Sequence, residues 1–454
     1  MATRRSQPRS MHPSRVFRLP HHDAVTVLTL YVLLLYVIPS ERTIGPLGGA
    51  GSPAALFALF AGIWWCWYQM SRRDPTVDVG ARPVRVALFL FLGAALASYV
   101  VATLRPLPTA EVSAADLGLL RLLAFASVLL IANDGIPDAE RLRTLLRRLV
   151  VVGGLFAALG LAQFVTGKSF VQSIGIPGLT TSQDFSAVQD RSGFARAAAT
   201  AMSPLEYAAV LSMILPLALV FAIEDTARPR WRRWLPALLI VAALALSGSR
   251  SAVLGLVTGI VVLFPTWSRT IRIRAGFLAV AGLAAVYLLV PGMIGTLRGL
   301  FLNLEGDPSA ASRANSYDMV GEFIARSPFI GRGFGTFLAP YRILDNQYLL
   351  TMIELGAIGL CALIGLVATS VVVAIAARRW APDALTRQLG QALGASVIAG
   401  AILTAFFDAF SFRMAGGTLF LMLGLCGAYW RLGRRERDRH DPTFETSAPL
   451  SVVP

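Results

Sequence analysis

The chain has 454 residues, of which 55% are hydrophobic and 15% are charged, and its formal net charge at pH 7 is +15. A soluble domain carries about 25% charged residues, so this composition excludes a fold that covers itself with polar surface in water. The positive charge is divided into short arginine clusters between apolar runs, which excludes the contiguous basic face of a nucleic-acid-binding protein. We therefore predict a single domain within a lipid bilayer.

Apolar runs recur along the chain, and a helix needs roughly 20 residues to cross a bilayer. They predict an all-α polytopic membrane protein with about twelve transmembrane helices over 24–430, between polar tails at 1–23 and 431–454. The first run is predicted to be a membrane anchor, because no small-residue cleavage site of a signal peptide follows it. The helices are predicted near 24–40, 52–70, 84–104, 116–132, 149–166, 204–223, 234–248, 251–266, 275–291, 346–376, 389–409 and 415–430.

Arginine clusters occupy every second connection between the predicted helices. By the positive-inside rule these connections face the cytoplasm, which predicts that both termini are cytoplasmic. Two extracytoplasmic loops are predicted, at 167–203 and, as the larger, at 292–345 between the ninth and tenth helices. The first three clusters are Arg72, Arg73, Arg82 and Arg85; Arg141, Arg143, Arg147 and Arg148; and Arg228, Arg230, Arg232 and Arg233.

The seventh and eighth apolar runs are short and meet at the polar segment from Ser247 to Arg250. They are either a tight re-entering pair or one broken helix. No repeat relates the two halves of the chain, and this disfavours a transporter built from inverted repeats.

The residue types on the predicted outer face restrict its chemistry. The three cysteines lie within apolar runs, which indicates neither a disulfide framework nor a thiolate metal site. Carboxylates are the candidate bases outside, and no His-rich zinc site is expected there. The reason is that every histidine falls in a predicted cytoplasmic tail: His12, His21, His22 and His440.

A glycine-rich stretch precedes the predicted tenth helix. Gly331, Gly333 and Gly335 indicate a sharp loop in which backbone approaches backbone or a ligand. Asp345 and Asn346 fall at a good N-cap position. The stretch lacks the preceding strand and following helix of a dinucleotide-binding fingerprint, so a capped turn into the helix is the simplest explanation of these residues taken alone.

Taken with the residues that follow, this stretch resembles the signature of the O-antigen ligase and polymerase family. In that family a Pro-x-x-Gly-x-Gly loop precedes a His-Asn pair, nine residues of helix and a Gly-x-x-Gly. Asp345 stands where ligases of the family usually carry histidine. The matching residues here are Pro328, Gly331 and Gly333, then Asp345 and Asn346, nine residues over 347–355, and finally Gly356 and Gly359.

Three upstream segments extend the resemblance over about 190–365. Ser247 to Ser251 looks like the Ser-x-Ser-Arg element that opens the family's core region. Arg196 to Tyr207 resembles its Arg-led segment before a membrane helix, and Ser312-Arg313 looks like the element that begins its outer loop.

The resemblance implies metal-independent glycosyl transfer from a polyprenyl diphosphate carrier to an acceptor outside the bacterial inner membrane. The acceptor is either a polysaccharide chain or a lipid anchor, and other envelope-assembly proteins are possible partners. Arginine's planar fork suits phosphate oxygens, so Arg196 and Arg250 are expected to stabilise the departing diphosphate without a cofactor. Asp345 is the candidate base for the acceptor hydroxyl. The candidate substrate-binding residues are Arg121, Arg313, Arg332 and Asn346.

Simpler roles exist for these arginines. Arg250 could snorkel toward lipid headgroups, and Arg196 could be a solvated loop charge. Arg121 is more unusual, because an ion inside a membrane helix is costly and often functional, although it too lies close enough to the outer end to snorkel.

Two other functions fit a chain of this kind. A carrier or flippase for a lipid-linked glycan would need ionisable residues near mid-membrane in paired discontinuous helices, whereas the candidates here gather toward one face. A membrane scaffold for envelope synthesis would tolerate substitution at every candidate residue.

Overall fold

The computed structural model describes residues 23–71, 80–168, 175–181, 189–191, 194–247, 249–289 and 320–440. Within these ranges the chain forms twelve helices of at least 14 residues and four strands of three residues. The helices are α1 (Ala24–Val37), α2 (Pro53–Ser71), α3 (Pro83–Thr103), α4 (Thr109–Gly135), α5 (Ala139–Thr166), α6 (Pro204–Glu224), α7 (Arg230–Leu246), α8 (Arg250–Leu263), α9 (Arg269–Leu289), α10 (Gln347–Ala377), α11 (Ala384–Leu403) and α12 (Arg413–His440). The strands are β1 (Arg42–Ile44), β2 (Leu179–Thr181), β3 (Gln189–Arg191) and β4 (Phe194–Arg196).

The structure is that of an all-α membrane protein. Within the described ranges, five helices are long and apolar enough to cross a bilayer, and these are α3, α4, α5, α6 and α10. The apolar helices α1 and α8 are shorter. Each predicted helix has a counterpart at the same place in the chain, whereas the number of membrane crossings stays a prediction.

Several helices extend beyond their predicted bounds. α5 begins ten residues before the predicted 149, and α12 continues ten residues past the predicted 430 to His440. The extension of α12 is polar, and Arg434 and Arg437 form ion pairs with Asp438 along it. A search for apolar runs stops at the first charged residues and therefore misses such turns. The predicted tail at 431–454 thus begins as helix, and its residues from 441 lie outside the described part.

α7 and α8 are separate helices with different neighbours. Both pack against α6, but α7 also packs against α5 and α8 against α11. The single broken helix left open by the sequence is therefore excluded. α6 itself is apolar all round and contacts α5, α7, α8, α11 and α12, which makes it the centre of the bundle.

The connections between helices separate into two ends of the bundle. At the first, termed here the arginine end, carboxylates near helix ends pair with arginines of other helices. Every one of these pairs joins segments predicted on the same side of the membrane. The pairs are Asp23 with Arg141 at 2.5 Å, Asp134 with Arg82 at 2.7 Å and Arg85 at 3.3 Å, Asp225 with Arg147 at 3.0 Å, and Asp383 with Arg143.

The opposite end, termed the loop end, is closed by contacts between distant segments. β1 pairs antiparallel with β2, so that Thr43 lies opposite Thr180, and β3 pairs antiparallel with β4. The backbone N–H of Ser40 donates to the carbonyl of Thr200 at 2.8 Å. Strands of three residues are too short to show an alternating pattern, so the sequence does not predict them.

Candidate functional site

Asn346 caps the start of α10 at the loop end. Its side-chain oxygen accepts hydrogen bonds from the backbone N–H groups of Tyr348 at 3.0 Å and Leu349 at 3.2 Å. This satisfies two of the N–H groups that a helix start leaves without partners. The oxygen of Asn346 therefore has a structural role, and a role in substrate binding stays a prediction.

Gln347 attaches the same helix start to the turn over 404–412, between α11 and α12. Its backbone N–H donates to the carbonyl of Thr404 at 2.9 Å, and its side-chain oxygen accepts from the N–H of Phe410 at 2.9 Å. Gln347 is buried, whereas the preceding Asp345 is half-buried. Asp345 is thus held beside the C-terminal end of α11, at the loop end of the bundle.

The glycine-rich loop is paired with a break in α10, an arrangement termed here the glycine clamp. Gly356 lies inside α10 with φ 65° and ψ −168°, which interrupts the helical hydrogen bonding. The interrupted turn is completed by residues 328–333. The four backbone hydrogen bonds run from Arg332 N–H to Ile353 carbonyl at 2.8 Å, Gly333 N–H to Glu354 carbonyl at 3.0 Å, Ala357 N–H to Pro328 carbonyl at 2.8 Å, and Ile358 N–H to Phe329 carbonyl at 3.2 Å.

Two glycines make this approach sterically possible. A Cβ on Gly331 would lie 2.2 Å from the carbonyl oxygen of Glu354, and a Cβ on Gly356 would lie 2.3 Å from the carbonyl carbon of Phe329. Both residues also have a positive φ, which side chains disfavour. The motif glycines thus bring two backbone segments together, one of the two alternatives that the sequence left open.

Arg332 is engaged with side chains of α4 and of its own loop. Its guanidinium donates to Glu111 at 2.6 Å and lies 4.6 Å from the centre of the Tyr341 ring. The Tyr341 hydroxyl donates to the same Glu111 oxygen at 2.5 Å. Glu111 is buried, so this contact joins the glycine-rich loop firmly to α4.

Glu354 supports the same loop from inside α10. Its carboxylate accepts a hydrogen bond from the backbone N–H of Phe337 at 3.2 Å, and the Ser98 hydroxyl donates to its carbonyl at 2.6 Å. Glu354 is buried. These bonds connect α3, α10 and the segment that leads to Asp345.

Arg250 begins α8 at the same end of the bundle and is half-buried. Ser249 and Ser251 flank it, and their hydroxyls are hydrogen-bonded to each other at 2.7 Å. Farther along α8, a Cβ on Gly255 would lie 3.0 Å from the side chain of Leu403, near the end of α11. Gly255 of α8 and the start of α10 therefore both border the C-terminal end of α11.

Arg196 ends β4, where its backbone pairs with Gln189. The residues after it enter the bundle: Ala198 and Ala199 are buried, and Gln163 of α5 binds both backbone groups of Ala199, at 2.7 Å and 3.1 Å. The sequence therefore leads from Arg196 directly into the packed loop end. The structure describes the backbone of Arg196 only.

Arg121 and Arg413 hold the loop end together on the other face of the 404–412 turn. Arg121 donates to the carbonyls of Phe410 at 3.1 Å and Ser411 at 3.2 Å. Arg413 is buried and donates to the carbonyls of Ser40 at 2.5 Å and Gly49 at 3.2 Å. Both arginines line a cavity of about 260 Å³ with otherwise largely apolar walls.

Two acidic residues lie near these arginines. Burial raises the pKa of Asp408 above its ordinary value, although a hydrogen bond from Ser411 and the charge of Arg121 oppose the rise. Glu206 is fully buried and accepts from the backbone N–H groups of Met202 at 2.8 Å and Met414 at 2.6 Å. Glu206 thereby connects the start of α6 to the start of α12.

The predicted site residues are distributed over one end of the molecule. Asp345 and Asn346 lie beside the end of α11, Arg121 contacts the turn that follows it, and Arg332 is paired with Glu111. Arg250 begins α8, which packs against α11. Arg313 lies outside the described residues. That these side chains bind a substrate or act on it stays a prediction.

Sequence analysis missed three residues that organise this end: Glu111, Glu206 and Gln347. A signal existed for Glu206, because Ser203 and Glu206 have the Ser-x-x-Glu spacing of a capping box. Glu111 and Gln347 have no comparable signal, because their roles depend on contacts between distant segments.

Comparison with known proteins shows similarity over the centre of the chain. The model of the O-antigen ligase family matches residues 235–364, which confirms the predicted resemblance there. The match includes Arg250, Arg313, Arg332, Asp345 and Asn346. Arg121 and Arg196 lie outside it.

Comparisons with curated proteins and with solved structures provide no evidence of function. No curated protein shows significant similarity to the chain. One chain of a solved structure described as "Structural coordination of polymerization and crosslinking by a peptidoglycan synthase complex" is 17% identical, with a TM-score of 0.40. The similarity covers 79% of this chain and 96% of that one.

Proposed function

Because residues 235–364 match the model of the O-antigen ligase family, we propose that the protein transfers a glycan from a polyprenyl diphosphate carrier to an acceptor outside the membrane. The acceptor is a growing polysaccharide or a lipid anchor of the cell envelope. The observation that carries the proposal is the family match itself, since it contains both Arg250 and Asp345. The packing of α8 and α10 around the end of α11 supports it.

In the proposed reaction, the acceptor hydroxyl oxygen forms a bond to the anomeric carbon of the carrier-linked sugar. The bond between that carbon and the diphosphate oxygen breaks, and the hydroxyl proton passes to Asp345. Polyprenyl diphosphate leaves with the electron pair of the broken bond. Arg250, together with Arg196, stabilises the charge on the departing phosphates without a metal ion.

Asp345 is proposed as the base although ligases of the family usually carry histidine at this position. An ionised carboxylate accepts a proton as a neutral imidazole does. Its neighbours Asn346 and Gln347 hold the start of the helix in place through hydrogen bonds of their side chains. The backbone that carries the Asp345 carboxylate is therefore fixed on its C-terminal side. Farther along the same helix, the glycine clamp holds residues 353–358 against the glycine-rich loop.

The membrane arrangement completes the proposal. Twelve helices cross the bacterial inner membrane, both termini are cytoplasmic, and the loop end faces outward. The ion pairs of the arginine end support this arrangement, because positive connections are retained on the cytoplasmic side. The carrier's polyprenyl chain then stays in lipid while its diphosphate reaches the outward-facing loop end.

The cellular test measures glycan product and carrier-linked glycan in the same cells. Asp345→Ala and Arg250→Ala are expected to lower the product and to cause carrier-linked glycan to accumulate on the outer leaflet. Arg326→Ala is a matched control, because Arg326 is an exposed arginine of the same family domain. Normal product with no accumulation in the first two variants would contradict the proposal. Carrier-linked glycan trapped on the inner leaflet would instead indicate a flippase.

A further inference from the structure

The cavity at the loop end has mostly apolar walls and two arginines in its lining. It lies among α1, α2, α4, the start of α12 and the segment before α2, and its volume is about 260 Å³. An apolar cavity of about 150 Å³ is already large enough to bind benzene. The space therefore admits a segment of hydrocarbon chain.

The two charges of this cavity lie near each other, because Arg121 acts electrostatically on Arg413. Arg121 and Arg413 are its only charged lining residues among those described, and the other walls include Leu56, Leu59 and Phe125. Asp408 and Glu206 act electrostatically on these arginines, but neither lines the cavity. An anionic group beside the arginines thus meets two guanidinium groups and no carboxylate of the lining.

We propose that this cavity binds one anionic phospholipid of the surrounding bilayer, with an acyl chain between α2 and α4 and its phosphate at Arg121 and Arg413. Phosphate oxygens accept the forked N–H groups of arginine. Both arginines use part of their donor set on backbone carbonyls, which holds them in place, and a guanidinium has five N–H donors in all. The site thus places two arginines, held in position by backbone carbonyls, beside an apolar cavity.

This occupant is separate from the proposed glycan carrier. Phe410 lies between the two sites: its N–H donates to Gln347 beside Asp345, whereas its carbonyl accepts from Arg121. No residue of α8 or α10 is among the described lining of the cavity. A phosphate at Arg121 therefore lies across the 404–412 turn from Asp345, and the inference does not rest on the proposed function.

The test measures bound lipid by native mass spectrometry of the full chain purified in mild detergent. The wild type is expected to retain one anionic phospholipid per chain. Ala55→Phe fills the cavity from α2, where Ala55 lines it and is partly exposed, and is expected to reduce retention at least tenfold. Cys66→Phe is the matched control, because Cys66 lies on the exposed face of the same helix, and it should retain lipid as the wild type does.

A second variant and a titration complete the experiment. Leu120→Trp blocks the cavity from the exposed rim of α4 and serves if Ala55→Phe does not fold. Delipidated wild type should bind phosphatidylglycerol at least tenfold more tightly than diacylglycerol with the same chains. The inference would be overturned if Ala55→Phe or Leu120→Trp retained as much lipid as Cys66→Phe. Equal affinity for phosphatidylglycerol and diacylglycerol would also overturn it. Selective binding of polyprenyl diphosphate in this cavity would also overturn it.

Discussion

Asp345 occupies a position where ligases of the family usually carry histidine. Both side chains can accept a proton, the aspartate as an ionised carboxylate and the histidine as a neutral imidazole. The exchange of one side chain for the other therefore tests whether this position supplies a base.

Asp345→His is expected to retain transfer activity, because a neutral imidazole can accept the proton in place of the carboxylate. Asp345→Ala should lower the rate by about 10²- to 10⁴-fold, the usual contribution of a general base. The measurement is the initial rate of product formation by the purified protein. Full activity with alanine, or no more activity with histidine than with alanine, would exclude Asp345 as the base.

Individual residues also show what could and could not be predicted from the sequence. Asp345, Asn346 and Arg250 were found by motif spacing, and the structure brings their helix starts to one end of α11. Glu111 and Gln347 were not found, because each acts through a partner more than 60 residues away. A local sequence pattern does not predict contacts between residues so far apart in the chain.

The glycine clamp is the feature of α10 that the family motif encodes. Its hydrogen bonds replace those lost at the break in the helix, so the break is stable only while residues 328–333 remain in place. Sequence analysis predicted the sharp loop from its glycines. It did not predict the partner of the loop, because Gly356 lies within the predicted tenth helix and glycine is common in membrane helices.

Gly356→Ala is expected to destabilise the protein. Alanine is strained at φ 65°, and its Cβ would collide with the backbone of Phe329. Residues held in such conformations cost on the order of 1–3 kcal/mol each, and the collision adds to that. Thermal unfolding in detergent would measure the effect.

Gly365→Ala is the matched control for this substitution. It lies on the same helix, and a Cβ there meets no atom within 4 Å. Alanine should stabilise the helix by roughly 0.5–1 kcal/mol at such a position. If Gly356→Ala unfolded at the same temperature as the wild type or at a higher one, the clamp would contribute nothing to the stability of the protein.

α11 begins at the arginine end with a capping aspartate whose charge is also paired. Burial alone would raise the pKa of Asp383, but hydrogen bonds from Thr386 and the charge and hydrogen bond of Arg143 outweigh it and lower the pKa below the ordinary 3.8. A carboxyl with a lowered folded-state pKa stabilises the fold above the unfolded-state value. That contribution disappears as the pH falls through the folded-state pKa.

Asp383→Asn should therefore lower the unfolding temperature at pH 7. The difference in unfolding temperature between the variant and the wild type should become smaller as the pH falls below 3.8. Asparagine retains the capping hydrogen bond to Thr386 but not the charge opposite Arg143. Unfolding temperatures of both proteins over the acid range would measure this. A difference independent of pH would show that the ion pair contributes nothing.

At the scale of the whole molecule, the two ends of the bundle differ in charge and in the kind of contact that closes them. The arginine end is held by ion pairs, and the loop end by backbone pairing, capping and buried arginines. Apolar runs and arginine spacing were sufficient to predict the helices in chain order. The short strands and the cavity were not predictable, because each depends on segments that meet only in the folded chain.

Cysteine labelling would establish which end faces outward. In a background without Cys66, Cys361 and Cys426, Ala339→Cys lies at the loop end and Ala227→Cys at the arginine end, and both alanines are exposed. In right-side-out vesicles, a membrane-impermeant maleimide should label position 339 at once and position 227 only after permeabilisation. The reverse order would place the proposed site in the cytoplasm.

The most direct test of the whole account is a transfer assay with purified protein in liposomes, supplied with a polyprenyl-diphosphate-linked glycan and an acceptor. Mass spectrometry would follow the covalent product and the free polyprenyl diphosphate together. The account predicts one molecule of polyprenyl diphosphate released for each new glycosidic bond, and loss of both signals in Asp345→Ala. Movement of the intact carrier-linked glycan across the bilayer, with neither product formed, would contradict it.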